Sequence, residues 1–201
     1  MKYKRRTLYK ACESPYMRIA GIRKTSLHDG AGVNLVVFFQ GCVHKCDGCQ
    51  NPETWKKDGG YKVRVSDVIK QIEEKIGFIS GVTFSGGDPV QQPDALYKIA
   101  KWCKEHGLTT TLYTGYQIYD LYEEWYDERQ AKWRYLPFME HIDVVIDGKF
   151  EKSRKKDIPF RGSDNQFLWR RGQNYTDKHP KWVTLVEYDG CFTLEIFRPR
   201  G

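Results

Sequence analysis

The chain has 201 residues, 40% hydrophobic and 29% charged, which is too apolar for a disordered polymer and long enough for one medium domain with a real core. Its net charge of +7 is scattered, the densest basic runs being Lys2-Tyr-Lys-Arg-Arg6 and Lys152-Ser-Arg-Lys-Lys156, so solvated basic surface is the simpler reading and direct nucleic-acid binding is not expected. No stretch approaches the roughly 18 apolar residues of a membrane span, and the basic start leads into Ala11-Cys-Glu-Ser-Pro15 and not into an apolar leader, so a cytoplasmic protein with reduced thiols is expected.

Residues 1–15 read as a basic lead-in. Tyr16 to Ile22 predicts a short strand, and Ser26-Leu-His-Asp-Gly-Ala-Gly32 a turn-rich loop before a strand over 33–40. The centre of that strand, Leu35-Val-Val-Phe-Phe39, is β-prone and lacks polar alternation, the pattern of a strand buried on both faces of a parallel sheet. A polar connection runs to about residue 64. Val65, Val68, Ile69, Ile72 and Ile76 then recur at helical spacing, with Ser66 as the expected N-cap and Gly77 as the stop. Phe78 to Ser85 predicts a strand that ends in Gly86-Gly-Asp-Pro89. Pro93 and Asp94 open a helix with Leu96, Ile99, Ala100 and Cys103 on its apolar side and Gly107 at its close.

Leu108 to Thr114 predicts the next strand, followed by Gly115-Tyr116 and an aromatic helical stretch over about 117–139. The charges of that stretch, Glu123, Glu124, Asp127, Glu128 and Arg129, read as its solvated face. Ile142 to Asp147 is a further strand, ended by Gly148. Strands alternating with helices imply parallel βαβ units. In the tail, Val183 to Tyr188 and Cys191 to Phe197 flank Asp189-Gly190, a strong short-range hairpin signal, so an appended antiparallel hairpin is expected.

Chemistry concentrates in Gly41-Cys-Val-His-Lys-Cys-Asp-Gly-Cys-Gln-Asn51, just past the buried strand. Ligands collect at the carboxyl ends of strands in open α/β sheets, so three thiols there favour a working site. Cys42, Cys46 and Cys49 let one loop wrap a compact centre and offer soft thiolates suited to an iron-sulphur cluster or zinc. Three ligands leave one position open in either case. The remaining thiols, Cys12, Cys103 and Cys191, lie far apart and read as buried or incidental. His28 and His44 read as hydrogen-bonding or exposed loop residues.

The spacing Cys42-x-x-x-Cys46-x-x-Cys49 resembles the signature of radical S-adenosylmethionine enzymes. The wider string, with Gly48 before the third cysteine where many such enzymes carry an aromatic residue, is similar to that of the activating proteins of anaerobic ribonucleoside-triphosphate reductases. Ser85-Gly-Gly-Asp-Pro89, Thr114-Gly-Tyr116, Asp147-Gly-Lys-Phe150 and Arg161-Gly-Ser-Asp-Asn-Gln166 follow in matching order, so the resemblance covers about residues 16–168.

That resemblance implies an α/β fold, a partial open (β/α) barrel of radical S-adenosylmethionine type over 16–168, with residues 169–201 as a C-terminal extension carrying the hairpin. It implies that Cys42, Cys46 and Cys49 hold a 4Fe-4S cluster whose free iron takes the amino and carboxylate groups of S-adenosyl-L-methionine. Gly48, Cys49, Gln50, Gly86, Gly87, Asp88, Thr114 and Tyr116 are the expected cofactor contacts. The implied activity is formation of a glycyl radical on the anaerobic reductase, with a one-electron donor such as a flavodoxin or ferredoxin.

The residues are compatible with this. The paired glycines permit close backbone approach, and Asp88, extended before Pro89, can accept hydrogen bonds from an ammonium group. Asp143 and Asp147 lie four apart on one strand; Asp147 is assigned to the cofactor or partner face and Asp143 to structure. Three alternatives stay open: activation of another glycyl radical enzyme, a small-molecule radical reaction such as deazaguanine synthesis, and a zinc-stabilised module that binds nucleic acid.

Overall fold

The computed structural model describes residues 14–118, 121, 136–171, 182–188 and 191–197, with residues 136–137 and the last two segments described by backbone alone. The chain enters on β1 (Tyr16–Ser26), which pairs antiparallel with β2 (Asn34–Phe39) on one side and with β3 (Tyr61–Arg64) on the other. α1 (Val65–Glu73) leads to β4 (Gly81–Gly86), and α2 (Pro93–Glu105) to β5 (Thr109–Tyr113). β6 (Val144–Asp147) completes a parallel set with β2, β4 and β5. β7 (Lys155–Ile158) and β8 (Arg161–Ser163) form a separate two-stranded ribbon. β9 (Phe167–Arg171) then runs antiparallel beside β6, followed by β10 (Trp182–Tyr188) and β11 (Cys191–Phe197).

The main sheet has nine strands in the order β11-β10-β9-β6-β5-β4-β2-β1-β3. Its centre is parallel and both flanks are antiparallel. Leu35, Val37 and Phe39, Val82 and Phe84, Leu112 and Val145 are buried in one apolar cluster with Val68 and Ile72 of α1 and Leu96, Ile99, Ala100 and Cys103 of α2. Each such large side chain contributes about 1.5–3 kcal/mol by leaving water. Val36, Thr83 and Thr111, on the alternate positions of β2, β4 and β5, are buried as well, which is why β2 shows no polar alternation.

The expected parallel strands and α2 are present, and Cys103 lies at 0% exposure on the core face of α2. Several boundaries differ. Ser66 is not the N-cap of α1: the helix begins at Val65 directly after extended Arg64, because the Val65 N–H donates to the Pro15 carbonyl at 2.8 Å and draws the turn two residues earlier. The helix also ends before Gly77, at Glu73, and β4 starts at Gly81, which leaves Phe78 77% exposed in the connection. β3, β7, β8 and β9 carry no strong local strand signal; their pairing to other segments defines them.

The tail hairpin is present, with Tyr188 paired to Cys191, while its Asp189-Gly190 turn lies outside the described residues. It continues the main sheet through β9, a strand that crosses the expected 168/169 boundary. Of the expected helix over 117–139, the described residues include Ile118, Leu121 and a helical turn at Leu136–Met139; its charged face, Glu123 to Arg129, lies outside them, as do Cys12 and residues 1–13 of the lead-in. Among the described residues no helix is long and apolar enough to cross a membrane.

Candidate functional site

Because β2, β4, β5 and β6 are parallel, the segments that leave their carboxyl ends emerge on one edge of the sheet. Those segments are the cysteine loop, Gly86 to Asp88, Thr114 to Tyr116, and Asp147 to Phe150. The cysteine loop is anchored by backbone bonds from Gly41 N–H to the Thr54 carbonyl at 2.7 Å and from Cys42 N–H to the Trp55 carbonyl at 3.2 Å. Inside it, Cys49 N–H reaches the Cys46 carbonyl at 3.1 Å, and Lys45 takes a left-handed φ of 47° that turns the chain between the first two thiols.

Cys42, Cys46 and Cys49 are all free and half-buried. Each sulphur meets a backbone N–H: Asn51 donates to Cys49 Sγ at 3.4 Å, His44 and Lys45 face Cys42, and Phe150 faces Cys46. Burial pushes the Cys42 and Cys46 thiols above their ordinary range, the Asp88 charge adding to the effect at Cys42 and Cys49 at Cys46, against those N–H donors. Thiols held protonated are poor nucleophiles, which disfavours thiol catalysis, whereas a metal displaces the proton on binding. Among the described residues no three His, Cys, Asp or Glu side chains close on one point as a single ion requires. Three soft thiol donors, each with its own N–H donor, are the chemistry that suits an iron-sulphur cluster, whose sulphurs are tuned by such bonds.

Asp88 is the hub of the site. Its carboxylate, 1% exposed, accepts from Val90 N–H at 3.0 Å, Gly115 N–H at 3.0 Å, the Thr114 hydroxyl at 3.0 Å and His44 Nε2 at 2.8 Å. A buried charge persists when paired and hydrogen-bonded in this way. The carboxylate expected to face an ammonium group is thus occupied by four donors of the chain itself. The paired glycines likewise serve the sheet: a Cβ on Gly86 would stand 2.7 Å from Phe39 backbone, and one on Gly87 2.5 Å from the Gly41 carbonyl oxygen. Their closeness lets Gly87 N–H reach the Phe39 carbonyl at 2.7 Å and Asp88 N–H the Gly41 carbonyl at 2.9 Å.

Tyr116 is half-buried, with its hydroxyl accepting from Gln91 Nε2 at 2.8 Å and its ring 4.6 Å from that of His44, edge to face. Gly48 and Gln50 sit on the exposed rim beside Cys49. Asp147, 1% exposed, accepts from Ile118 N–H at 2.7 Å and Phe167 N–H at 3.2 Å, so it holds backbone in place instead of facing a ligand. Asp143 lies just before β6 and binds Lys104 Nζ at 2.5 Å and Thr110 N–H at 2.9 Å, the structural role expected of it. His28 is exposed. A cleft of about 490 Å³ opens beside the cysteine loop, lined by Asp47, Phe150, Glu151, Lys152 and Ser153.

Three contributions go beyond the sequence reading, in which His44 figures only as a hydrogen-bonding or exposed loop residue. His44 is part of the buried hub, Phe150 lends its N–H to Cys46, and Gln40 steers the segment after the cysteines by donating to the Glu53 and Lys56 carbonyls at 3.1 and 2.7 Å. The position of His44 inside the cysteine string was the one available signal; the other two depend on contacts far apart in the chain.

The family profile described as a 4Fe-4S single cluster domain matches residues 28–169. The anaerobic ribonucleoside-triphosphate reductase-activating protein of Enterobacteria phage T4 is 33% identical over 147 residues, 70% of this chain and 86% of that protein. The pyruvate formate-lyase-activating enzyme of Clostridium pasteurianum is 40% identical over 133 residues, 64% of this chain but 50% of that enzyme, so the chain spans about half of the latter's length. The crystal structure of QueE from Escherichia coli matches with a TM-score of 0.42 and 16% identity, covering 50% of this chain and 52% of that one, and no reading rests on it.

Proposed function

This chain belongs to the 4Fe-4S single cluster domain family, among the radical S-adenosylmethionine activating proteins, and on that premise we propose that it generates a glycyl radical on an anaerobic ribonucleoside-triphosphate reductase. The observation that carries the reading is the loop of three half-buried thiols, each facing a backbone N–H, at the carboxyl edge of parallel strands. We read β2, β4, β5 and β6 with α1 and α2 as the partial open (β/α) barrel of that enzyme class, residues 16–168 as the part that carries the chemistry, and residues 169–201 as an extension of the sheet.

Cys42, Cys46 and Cys49 would hold the cluster, with Gly48, Gln50, Gly86, Gly87, Asp88, Thr114 and Tyr116 around the cofactor. The chemistry supplied when cluster and S-adenosylmethionine are bound is one-electron cleavage of the sulfonium to methionine and a 5'-deoxyadenosyl radical, which takes a hydrogen atom from a glycine α-carbon. The chain's own contribution is placement. Backbone N–H groups stabilise the thiolates, and the Asp88 hub holds three strand ends together. Half-exposed thiols and an open cleft support a reading in which a partner covers the site to exclude water. The partner we propose is the reductase, and the electron comes from a flavodoxin or ferredoxin. A cytoplasmic setting keeps the thiols reduced.

Anaerobically reconstituted chain, mixed with the reductase, dithionite and S-adenosylmethionine, is expected to produce the EPR doublet of a glycyl radical. Cofactor cleavage without a lasting protein radical would overturn the reading. The 40% identity to the Clostridium pasteurianum enzyme supports a second reading, in which the partner is another glycyl radical enzyme, and the same experiment with pyruvate formate-lyase separates the two.

A further inference from the structure

His44 stands between Cys42 and Cys46, yet its side chain is only 7% exposed, and its Nε2 lies 2.8 Å from the Asp88 carboxylate. A carboxylate that receives donors on every side can only accept, so Nε2 carries the hydrogen and donates it. The ring fits into a place made for it. Tyr116 covers one side edge to face at 4.6 Å, and a Cβ on Gly115 would stand 2.4 to 2.8 Å from three of the ring atoms, so only glycine at 115 admits the imidazole. Gly115 N–H and the Thr114 hydroxyl bind the same carboxylate, at 3.0 Å each. One imidazole therefore joins the cysteine loop, the end of β4 and the end of β5.

We propose that His44 is a positioning residue, whose Nε2–H bond to Asp88 fixes the stretch from Cys42 to Cys46 against the ends of β4 and β5, so that the sheet sets how the first two thiols are presented. Without that bond the loop is tied down before Cys42, through Gly41 and Thr54, and within the last turn, through Cys46 and Cys49, but has no side-chain tether to the sheet between its first two thiols among the described residues. Groups that orient metal ligands from behind typically change metal affinity by about 10- to 100-fold when removed. The proposal rests on the three cysteines being the cluster ligands, but not on which partner receives the radical.

The test compares wild type with His44→Gln, His44→Phe and Gly115→Ala, each reconstituted with iron and sulphide without oxygen. Three quantities are read: the rate of iron loss to a ferrous chelator, the EPR line shape of the dithionite-reduced cluster, and the melting temperature of the apo chain. Glutamine places an N–H the same number of bonds from the backbone as His44 Nε2, so His44→Gln is expected to keep the wild-type rate and line shape. His44→Phe and Gly115→Ala are expected to lose iron about 10-fold faster or more and to change the line shape. A His44→Phe cluster that matches wild type in both, or a His44→Gln cluster as impaired as the Phe variant, overturns the proposal. A shift in apo melting with an unchanged cluster also overturns it, since that marks a merely structural residue. A wild-type chain that cleaves S-adenosylmethionine but activates no reductase would defeat the proposed partner and leave this comparison intact.

Discussion

The two ends of β5 use the same chemical arrangement for different purposes. At the amino end, Asp143 binds the Thr110 N–H at 2.9 Å, lies 3.1 Å from the Thr110 hydroxyl, and is closed off by Lys104 from the last turn of α2. At the carboxyl end, Asp88 binds the Thr114 hydroxyl and the Gly115 N–H, and is closed off by His44 from the cysteine loop. The difference lies in the fourth partner and in burial. Lys104 and Asp143 remain 38% and 23% exposed, so water shares their charge, whereas His44 and Asp88 are 7% and 1% exposed. An aspartate bound to threonine and backbone is thus a general clamp for a strand end, and it becomes part of a working site when its last donor comes from the loop that carries the thiols.

The sharpest way to break this comparison is at the working end. Cys46→Ala is expected to abolish the reduced-cluster EPR signal and all cofactor cleavage; a variant that keeps both would remove Cys46 from the ligand set. Next in size, Asp88→Ala strands four buried donors and is expected to cost about 3 kcal/mol or more in urea unfolding, together with loss of cluster retention. A change below about 1 kcal/mol would mean the hub carries no weight. Asp143→Ala, at the half-wet end, is expected to lower stability by only about 1–2 kcal/mol with the cluster signal unchanged. An altered line shape there would show that the two ends are coupled. Smallest of all, Lys104→Met is expected to shift stability by less than about 1 kcal/mol, and by less still at high salt.

Much of this could be read along the chain. β2 announced itself by an apolar run too continuous for a half-exposed strand, and α2 by its Pro93 start and the spacing of Leu96, Ile99, Ala100 and Cys103, all of them buried. The Cys103 thiol, pushed up to about 12 by burial, separates itself from the three half-buried loop thiols in the way its position on an apolar helix face implied. What misled was local grammar without its context. Ser66 has the right chemistry for a cap, but the Val65 N–H already had a partner in the Pro15 carbonyl. Asp88 and Gly86-Gly87, expected around a ligand, have a second role that no local pattern announces: their hydrogen bonds and close contacts join neighbouring strand ends.

By itself the sequence determined the grouping of the three thiols and the parallel core, because both are written at short range: Cys42, Cys46 and Cys49 fall within one loop, and hydrophobic periodicity needs only a few consecutive residues. Only the tertiary structure decided which partners close the site, since His44 and Asp88 are 44 positions apart and meet solely because β2 and β4 run parallel and in register. The antiparallel flanks belong to the same class. β3 and β9 become strands through hydrogen bonds to β1 and β6, and backbone pairing between distant segments leaves little trace in the residues of either one.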